Sequence, residues 1–178
     1  MNQIHRLKPW KLFLILTFSL FASIFAASST ISIGDFNSLQ ISIVIRIIGT
    51  LIFFSWLLLL GLQLNKIEGN PYHFSNLLFV LAIVSTATSY VEMNLQVLWT
   101  DNNPIPFYFG FILMPLTVWG IVYIFSRLPK SLNSIENNKI VKSSEYIKDS
   151  LLLFMFPIGV WFIQPRVNAI LKDENVIR

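Results

Sequence analysis

Apolar residues are grouped in four long stretches along this chain, and they do not follow the spacing of an amphipathic helix or strand. A helix needs about 20 mostly apolar residues to cross the hydrocarbon core of a bilayer. Lipid offers no hydrogen bonds to the backbone, so such a segment has to be helical. Each stretch meets or approaches the required length, and we predict four transmembrane helices. They cover Trp10–Ala27, Leu39–Leu64, Leu77–Leu98 and Phe107–Phe125.

The first of these stretches also fits a second interpretation. Trp10–Ala27 follows a basic start and runs into small residues at 26–29, which is the pattern of a cleaved signal peptide. The apolar run is long for the centre of such a peptide. We therefore favour an uncleaved span and keep the signal peptide as the alternative.

Lys and Arg occur on alternate sides of the predicted spans. The connections Ser28–Ser38 and Trp99–Pro106 contain neither residue, whereas the N-terminus and the other connections are basic. By the positive-inside rule, the N-terminus is cytoplasmic and those two loops are external. We predict a multi-pass protein of the cell (inner) membrane. Its cytoplasmic basic residues are Arg6, Lys8, Lys11, Lys66, Arg127, Lys130, Lys139, Lys142 and Lys148.

Composition agrees with a membrane-embedded chain. Hydrophobic residues make up 54% of the chain and charged residues 12%, whereas soluble domains carry about twice that charged fraction. The short connections leave no room for a soluble domain, so residues 1–178 are predicted to form a single membrane domain within the lipid bilayer. The net charge of +4 is explained by topology, and no nucleic-acid partner is predicted. The absence of cysteine excludes disulfides and thiol chemistry.

The segment Arg127–Asp149 is the sizeable polar part of the sequence. We interpret it as a cytoplasmic connection near anionic headgroups, with a docking site for a soluble partner as the alternative. Ser144 is predicted to cap a helix, because its hydroxyl can accept a backbone N–H and Glu145 suits the positive end of the helix dipole. A full capping box is not expected, since Ile147 stands where Glu or Gln is required.

The apolar run Leu151–Ile163 is too short for an ordinary span, because it covers only about 20 Å as a helix. Pro157 and Gly159 lie near its middle, where they would bend or break a helix. A full crossing would also place the basic tail outside, against the charge asymmetry. For residues 150–164 we favour a short re-entrant hairpin over a fifth span. The predicted fold class is an all-α integral membrane protein with four transmembrane helices plus this segment.

The stretch from Phe156 to Asn168 reads F-P-I-G-V-W-F-I-Q-P-R-V-N. With Lys130–Glu136 and Ser144–Ile147 upstream, it resembles a family of small uncharacterised bacterial membrane proteins whose C-terminal signature is F-P-I-G-(I/V)-W-(F/I)-I-Q-P-(R/K)-(I/V)-N. The resemblance covers roughly the last third of the chain and implies a multi-span membrane protein, without indicating an activity. It marks these candidates for a structural or functional site: Pro157, Gly159, Trp161, Gln164, Pro165, Arg166 and Asn168.

Two charged residues fall well inside the predicted spans. At helical rise, Arg46 lies about 10 Å and Glu92 about 9 Å from the outer ends of their spans. A charge at such depth costs at least about 2.5 kcal/mol on insertion scales. Each residue therefore needs a partner, and we predict an Arg46–Glu92 contact that pins two helices together. The alternatives are that Glu92 reaches outward unpaired, or that the pair forms an ion, proton or substrate site.

Searches for catalytic signatures find no phosphate-binding loop, zinc-protease, hydrolase-nucleophile or dithiol motif. His5 and His73 have no neighbour at metal-ligand spacing. We therefore predict no enzyme, no metal and no cofactor. The leading hypothesis is a non-enzymatic membrane protein that acts by association, as a subunit of a complex or as a small homo-oligomer. The alternative is a small channel or transporter that uses Arg46 and Glu92.

Overall fold

The computed structural model of the chain describes residues 36–96, 105–155 and 158–177, together with seven helical positions between Lys11 and Phe21. Across these residues the chain is helical with connecting turns and no strand, which confirms the all-α class for this part. Most of the first predicted span, residues 10–27, lies outside the described residues. The helices are α1 (Phe36–Leu64), α2 (Asn76–Gln96), α3 (Ile105–Asn137), α4 (Ser143–Phe154) and α5 (Ile158–Ile177).

Helices α1 and α2 match the second and third predicted spans. Both are long and apolar enough to cross a membrane, over Gln40–Leu64 and Asn76–Leu95. The turn between them contains Gly69 at a φ of +80°, in the left-handed region that favours glycine. The Asn70 side chain closes this turn, since its amide donates to the Leu64 carbonyl at 2.9 Å. The two apolar helices therefore follow each other as a hairpin.

Helix α3 is longer than the sequence predicted. The fourth span was expected to end at Phe125, but the helix continues through Pro129 to Asn137. The added turns are buried, with Leu132 and Ser134 fully inaccessible. Tertiary packing of this kind overrides the weak helix propensity of Ser and Asn. The predicted end of this helix was wrong by about three turns of helix.

The end of α3 has a defined cap. Asn138 takes a positive φ of 50°, and its N–H bonds to the Ile135 carbonyl at 3.2 Å. The Lys139 N–H bonds to the Ser134 carbonyl, also at 3.2 Å. This pair of bonds is a Schellman motif, in which Asn takes the place usually held by Gly. The chain then turns at once into the short link that leads to α4.

Helices α2 and α3 approach each other closely. A methyl group added at Gly120 would lie 2.8 Å from the Ala82 carbonyl oxygen and 3.1 Å from the Ser85 hydroxyl. One turn away, the Thr117 hydroxyl lies 2.5 Å from the Ser89 hydroxyl. Small residues and hydroxyls at a helix–helix contact are the packing device expected in lipid. The central core residues are Leu57, Leu60, Leu64, Phe79, Ile83, Ile124, Leu128, Leu132, Leu153, Ile163 and Val167.

Helices α4 and α5 form a helical hairpin. The break comes at Met155, whose carbonyl accepts the Ile158 N–H at 3.0 Å. Just after it, Gly159 sits against the α4 backbone, so that an added Cβ would overlap the Leu152 carbonyl. The two helices then run antiparallel, because Arg166 of α5 contacts Asp149 of α4. Residues 158–177 therefore return toward the end of the bundle where α3 stops.

The start of α4 differs from the sequence prediction. Lys142, not Ser144, is the cap residue, and its N–H donates to the Glu145 carboxylate at 3.2 Å. The Lys139 ammonium lies 3.4 Å from the same carboxylate. Glu145 therefore makes the side-chain half of a capping box from the third helical position. The predicted cap was placed two residues too late because Ser144 looked like the better hydrogen-bond acceptor.

The capping bond makes the start of α4 sensitive to acid. The backbone N–H of Lys142, assisted by Lys139, holds the pKa of Glu145 below its ordinary value. A carboxyl with a depressed folded-state pKa stabilises the fold at neutral pH. That stabilisation declines as pH falls below about 4.3, the unfolded glutamate pKa, and is gone below the folded-state pKa. Between pH 7 and pH 3, we expect the free energy of unfolding to fall less in Glu145→Gln than in the parent protein. The measurement is denaturant unfolding in micelles at each pH, followed by circular dichroism. An unchanged loss would contradict the capping role.

Candidate functional site

A charged network joins α3, α4 and α5 at the end of the bundle where α3 stops. The Arg166 guanidinium makes a two-pronged contact with Glu136, Nε to Oε1 at 2.8 Å and Nη2 to Oε2 at 2.5 Å. Its remaining nitrogen, Nη1, donates to Asp149 Oδ2 at 2.8 Å. The planar fork of arginine suits such paired contacts with carboxylates. One cation thus holds two carboxylates from two different helices.

Asp149 is the buried member of this network. Only 11% of its side chain is exposed, against 31% for Arg166. Besides the guanidinium, Asp149 accepts a bond from the Asn133 amide at 2.6 Å. The same amide donates to the Pro129 carbonyl at 2.9 Å, so both of its hydrogens are used. We call Asn133, Glu136, Asp149 and Arg166 the Arg166 network.

The network keeps its central cation charged. Hydrogen bonding to Glu136, reinforced by Asp149, raises the pKa of Arg166 above its ordinary value despite the opposing effect of burial. A guanidinium is already protonated throughout the accessible pH range. Arg166 therefore cannot serve as an acid or base, and its chemical capacity is to attract and position carboxylates.

A second polar link ties α5 to α1. The Trp56 indole N–H donates to the side-chain oxygen of Gln164, Oε1, at 2.7 Å, with both residues buried. The side-chain NH₂ of Gln164 in turn donates to the side-chain oxygen of Asn168, Oδ1, at 3.0 Å. Together with the Arg166 network, this Trp56–Gln164 link fixes α5 to three other helices.

Removing the glutamine amide should leave the indole N–H buried and unsatisfied. We expect Gln164→Leu to lower the free energy of unfolding by about 1–3 kcal/mol, measured by denaturant titration of the protein in micelles. Trp56→Phe should have a similar cost, and the double variant should cost less than the sum because both changes remove one shared bond. Strict additivity of the two single changes would contradict this coupling.

The polar end of the bundle continues onto the turn between α1 and α2. The buried Asn70 amide lies 3.1 Å from the Ser131 hydroxyl of α3. Beside it, Arg127 donates to the Tyr72 hydroxyl, which raises the pKa of Arg127. Lys130 lies 4.4 Å from the centre of the Tyr72 ring, within cation–π range. Four helices and one turn therefore meet in polar contacts at this end.

Of the seven residues singled out by the C-terminal signature, six lie in the part of the chain that the structure describes. Gln164, Arg166 and Asn168 all take part in the contacts above. Gly159 permits the close hairpin, and Pro165 lies exposed inside α5. Trp161 is half exposed and meets Phe13 edge to face, with ring centroids 5.2 Å apart. Pro157 lies outside the described residues.

Sequence reasoning did not identify four partners in these contacts. They are Trp56, Asn133, Glu136 and Asp149. Trp56 lies far from the C-terminal segment in the sequence. Asn133 and Glu136 fall in the upstream stretch Lys130–Glu136 that shares the family resemblance, but nothing in that stretch indicates which of its residues contact the segment. The available signal was Asp149 itself, an acid directly before an apolar run, which needs a cation once that run is buried.

Arg46 and Glu92 are both half-buried, on α1 and α2 respectively. Glu92 lines a cavity of about 400 Å³ between α1, α2, α3 and α4, and Arg46 is not part of that lining. The predicted Arg46–Glu92 contact stays a prediction. Among the described residues, no group of three or more His, Asp and Glu is placed to hold a metal ion.

Comparison with known proteins identifies no relative of this chain. The chain matches no family model, no curated protein and no solved structure. The resemblance of Phe156–Asn168 to small bacterial membrane proteins therefore stays a prediction.

Proposed function

We propose that this chain is a multi-pass protein of the cell (inner) membrane with a cytoplasmic N-terminus, and that it acts by association and not by catalysis. The observation that carries the proposal is the exposure of its apolar helices. Of the apolar windows, 22% of the one in α1 and 28% of the one in α2 are buried. A core helix of a soluble protein would be mostly buried. The remaining apolar surface calls for lipid or a protein partner.

The distribution of polar and charged contacts supports the proposed orientation of the bundle in the membrane. The Arg166 network, the Tyr72–Arg127 contact and the basic residues near Lys142 all lie at one end of the bundle. Lys and Arg concentrate on the cytoplasmic side of membrane proteins. The end where α3 stops is therefore proposed to face the cytoplasm, with the predicted spans in the bilayer.

We propose further that the α4–α5 hairpin enters the bilayer from this side and returns. Lys142 and Lys148 are exposed near the start of α4, whereas Phe154, Met155 and Ile158 are exposed at its tip. The exposed lysines suit the lipid headgroups, and the exposed apolar side chains at the tip suit the acyl chains. Broken helices survive at membrane depth when their freed backbone groups are covered. The Ile158 N–H donates to the Met155 carbonyl across the break, which satisfies both of these backbone groups.

The form of association is proposed to be either a subunit of a larger complex or a small homo-oligomer. The polar side chains of the Arg166 network bond mainly to one another, which makes a rigid support and leaves no unpartnered nucleophile within that network. Large apolar side chains stay exposed on every described helix from α1 to α5. A rigid body with extensive apolar surface is suited to packing against other membrane helices.

The experiment is to measure the mass and composition of the assembly after gentle extraction from its native membrane. We expect either a second protein in fixed stoichiometry or a defined oligomer of this chain. The same preparation in a denaturing detergent gives the monomer mass as the control. A monomer under every gentle extraction condition would contradict the proposal.

A second candidate function is a small channel or transporter, favoured by the position of Glu92 in the cavity lining. If Glu92→Gln keeps normal protein levels but abolishes a proton or solute flux, transport is the function. If Glu92→Gln instead lowers protein levels and a further change at Arg46 restores them, the two residues form a structural pair.

A further inference from the structure

The cavity of about 400 Å³ is large enough for a small ligand, since such sites typically measure about 300–1,000 Å³. Its walls are mostly apolar, with Phe53 and Phe54 from α1, Phe125 from α3 and Leu153 from α4. Met93 and Met114 also line it and are themselves mostly exposed, so they form its rim. Methionine side chains are flexible and can adapt to a guest molecule. The cavity therefore has the shape and lining of a lipophilic binding site.

The polar groups of the lining offer hydrogen-bond acceptors. The Ser89 hydroxyl donates its proton to the Ser85 carbonyl at 2.9 Å. The Thr117 hydroxyl has one proton, for which the Ser89 oxygen at 2.5 Å and the Leu113 carbonyl at 2.9 Å compete. Each hydroxyl oxygen can also accept bonds. Their protons are thus committed to the protein, and what they can offer a guest is acceptor capacity.

Thr86 and Glu92 add further hydrogen-bond acceptors to the cavity lining. The Thr86 hydroxyl, buried at the back of the cavity, donates to the Ala82 carbonyl at 2.7 Å. The Glu92 side chain also lines the cavity, and carboxylate oxygens are hydrogen-bond acceptors. A guest that fits these groups has to bring the donor itself.

We propose that this cavity binds one molecule of a lipophilic alcohol, with its hydroxyl donating into the Ser89–Thr117–Glu92 part of the lining. The alkyl portion would lie among Phe53, Phe125 and the other apolar walls. A hydroxyl is favoured over an ammonium group because its cost of leaving water is much smaller. This site goes beyond association as a function, and binding does not depend on the oligomeric state.

The test uses the full chain, purified in detergent micelles, and a dodecanol analogue that carries a photoreactive diazirine in its alkyl chain. Labelled residues are mapped by mass spectrometry. Competitors are dodecanol and dodecyl methyl ether, which has the same alkyl chain but no hydroxyl proton. We expect labels on the cavity lining, and dodecanol should compete about fivefold better than the ether, the value of one net hydrogen bond.

Matched variants locate the site. Ile121→Trp fills the cavity, whereas Val122→Trp adds the same ring to the next residue, which is exposed and outside the lining. Labelling of the lining should be lost in the first variant and kept in the second. Met114→Trp at the exposed rim is a second filling variant that leaves the core intact. Thr117→Val should remove the advantage of dodecanol over the ether.

The proposal is overturned if labels spread evenly over exposed helix faces, if Ile121→Trp and Val122→Trp behave alike, or if the ether or dodecylamine competes as well as dodecanol. These results would leave the mass of the gently extracted assembly unchanged. Failure of the ligand site is therefore distinguishable from failure of the association proposal.

Discussion

Replacing Arg166 with Met is expected to lower the free energy of unfolding by about 3 kcal/mol, near the lower limit for breaking a buried ion pair. The reason is Asp149, which is largely buried and would keep only the Asn133 amide as a partner. The lower limit applies because Glu136 and Arg166 are partly exposed and can turn to water. The measurement is denaturant unfolding in micelles, followed by circular dichroism.

Three companion variants identify the cause of the loss. Lys172→Met removes an exposed cation from the same helix and should cost little. Arg166→Lys keeps the charge but cannot bridge both carboxylates, so an intermediate loss is expected. Adding Asp149→Leu to Arg166→Met removes the stranded charge and should recover part of the stability. Equal losses for Arg166→Met and Lys172→Met would show that the network does not hold these helices together.

Gly159→Ala is expected to cost about 2 kcal/mol, in the range for overpacking a closely fitted site. The added methyl group would overlap the Leu152 carbonyl, which belongs to the backbone of α4 and cannot move aside by changing rotamer. The hairpin would have to open at its tip. Because Trp56 is held by Gln164 further along α5, its fluorescence should also change.

The control for Gly159→Ala is Ile158→Ala, a change at the adjacent residue of α5, whose side chain is exposed. It should leave the stability close to that of the parent protein. If both variants cost the same, then the close approach of Gly159 to α4 is not what holds the hairpin closed.

The apolar helices could be predicted from sequence because their signal is local. Continuous apolar runs placed α1 and α2 within a few residues of their observed bounds. The extension of α3 could not be predicted in this way, since Ser131, Asn133 and Ser134 are typical of a connection. They are buried, and other parts of the fold supply their hydrogen-bond partners. The Asn70 amide and the Val141 N–H donate to the Ser131 and Ser134 hydroxyls, and the Asn133 amide donates to Asp149. That information lies in the tertiary fold.

The sequence marked residues of the candidate site only through the C-terminal signature. The C-terminal signature pointed to Gln164, Arg166 and Asn168, and the structure shows all three in hydrogen bonds. The resemblance also covers Lys130–Glu136, but it did not pair these residues with one another, because Glu136 and Arg166 stand 30 positions apart. Side-chain periodicity relates neighbours on one helix and cannot relate separate helices. The same limit leaves the Arg46–Glu92 contact a prediction.

We propose a bundle whose cytoplasmic end carries the Arg166 network and whose α4–α5 hairpin returns to that side. Because the chain has no cysteine, single cysteines can be introduced at Lys172, Ser144 and Asn103 and probed in intact cells with a membrane-impermeant thiol reagent. We predict that Asn103→Cys is labelled, while Ser144→Cys and Lys172→Cys are labelled only after the membrane is opened. Labelling of Lys172→Cys in intact cells would contradict the returning hairpin and would make the last segment a fifth span.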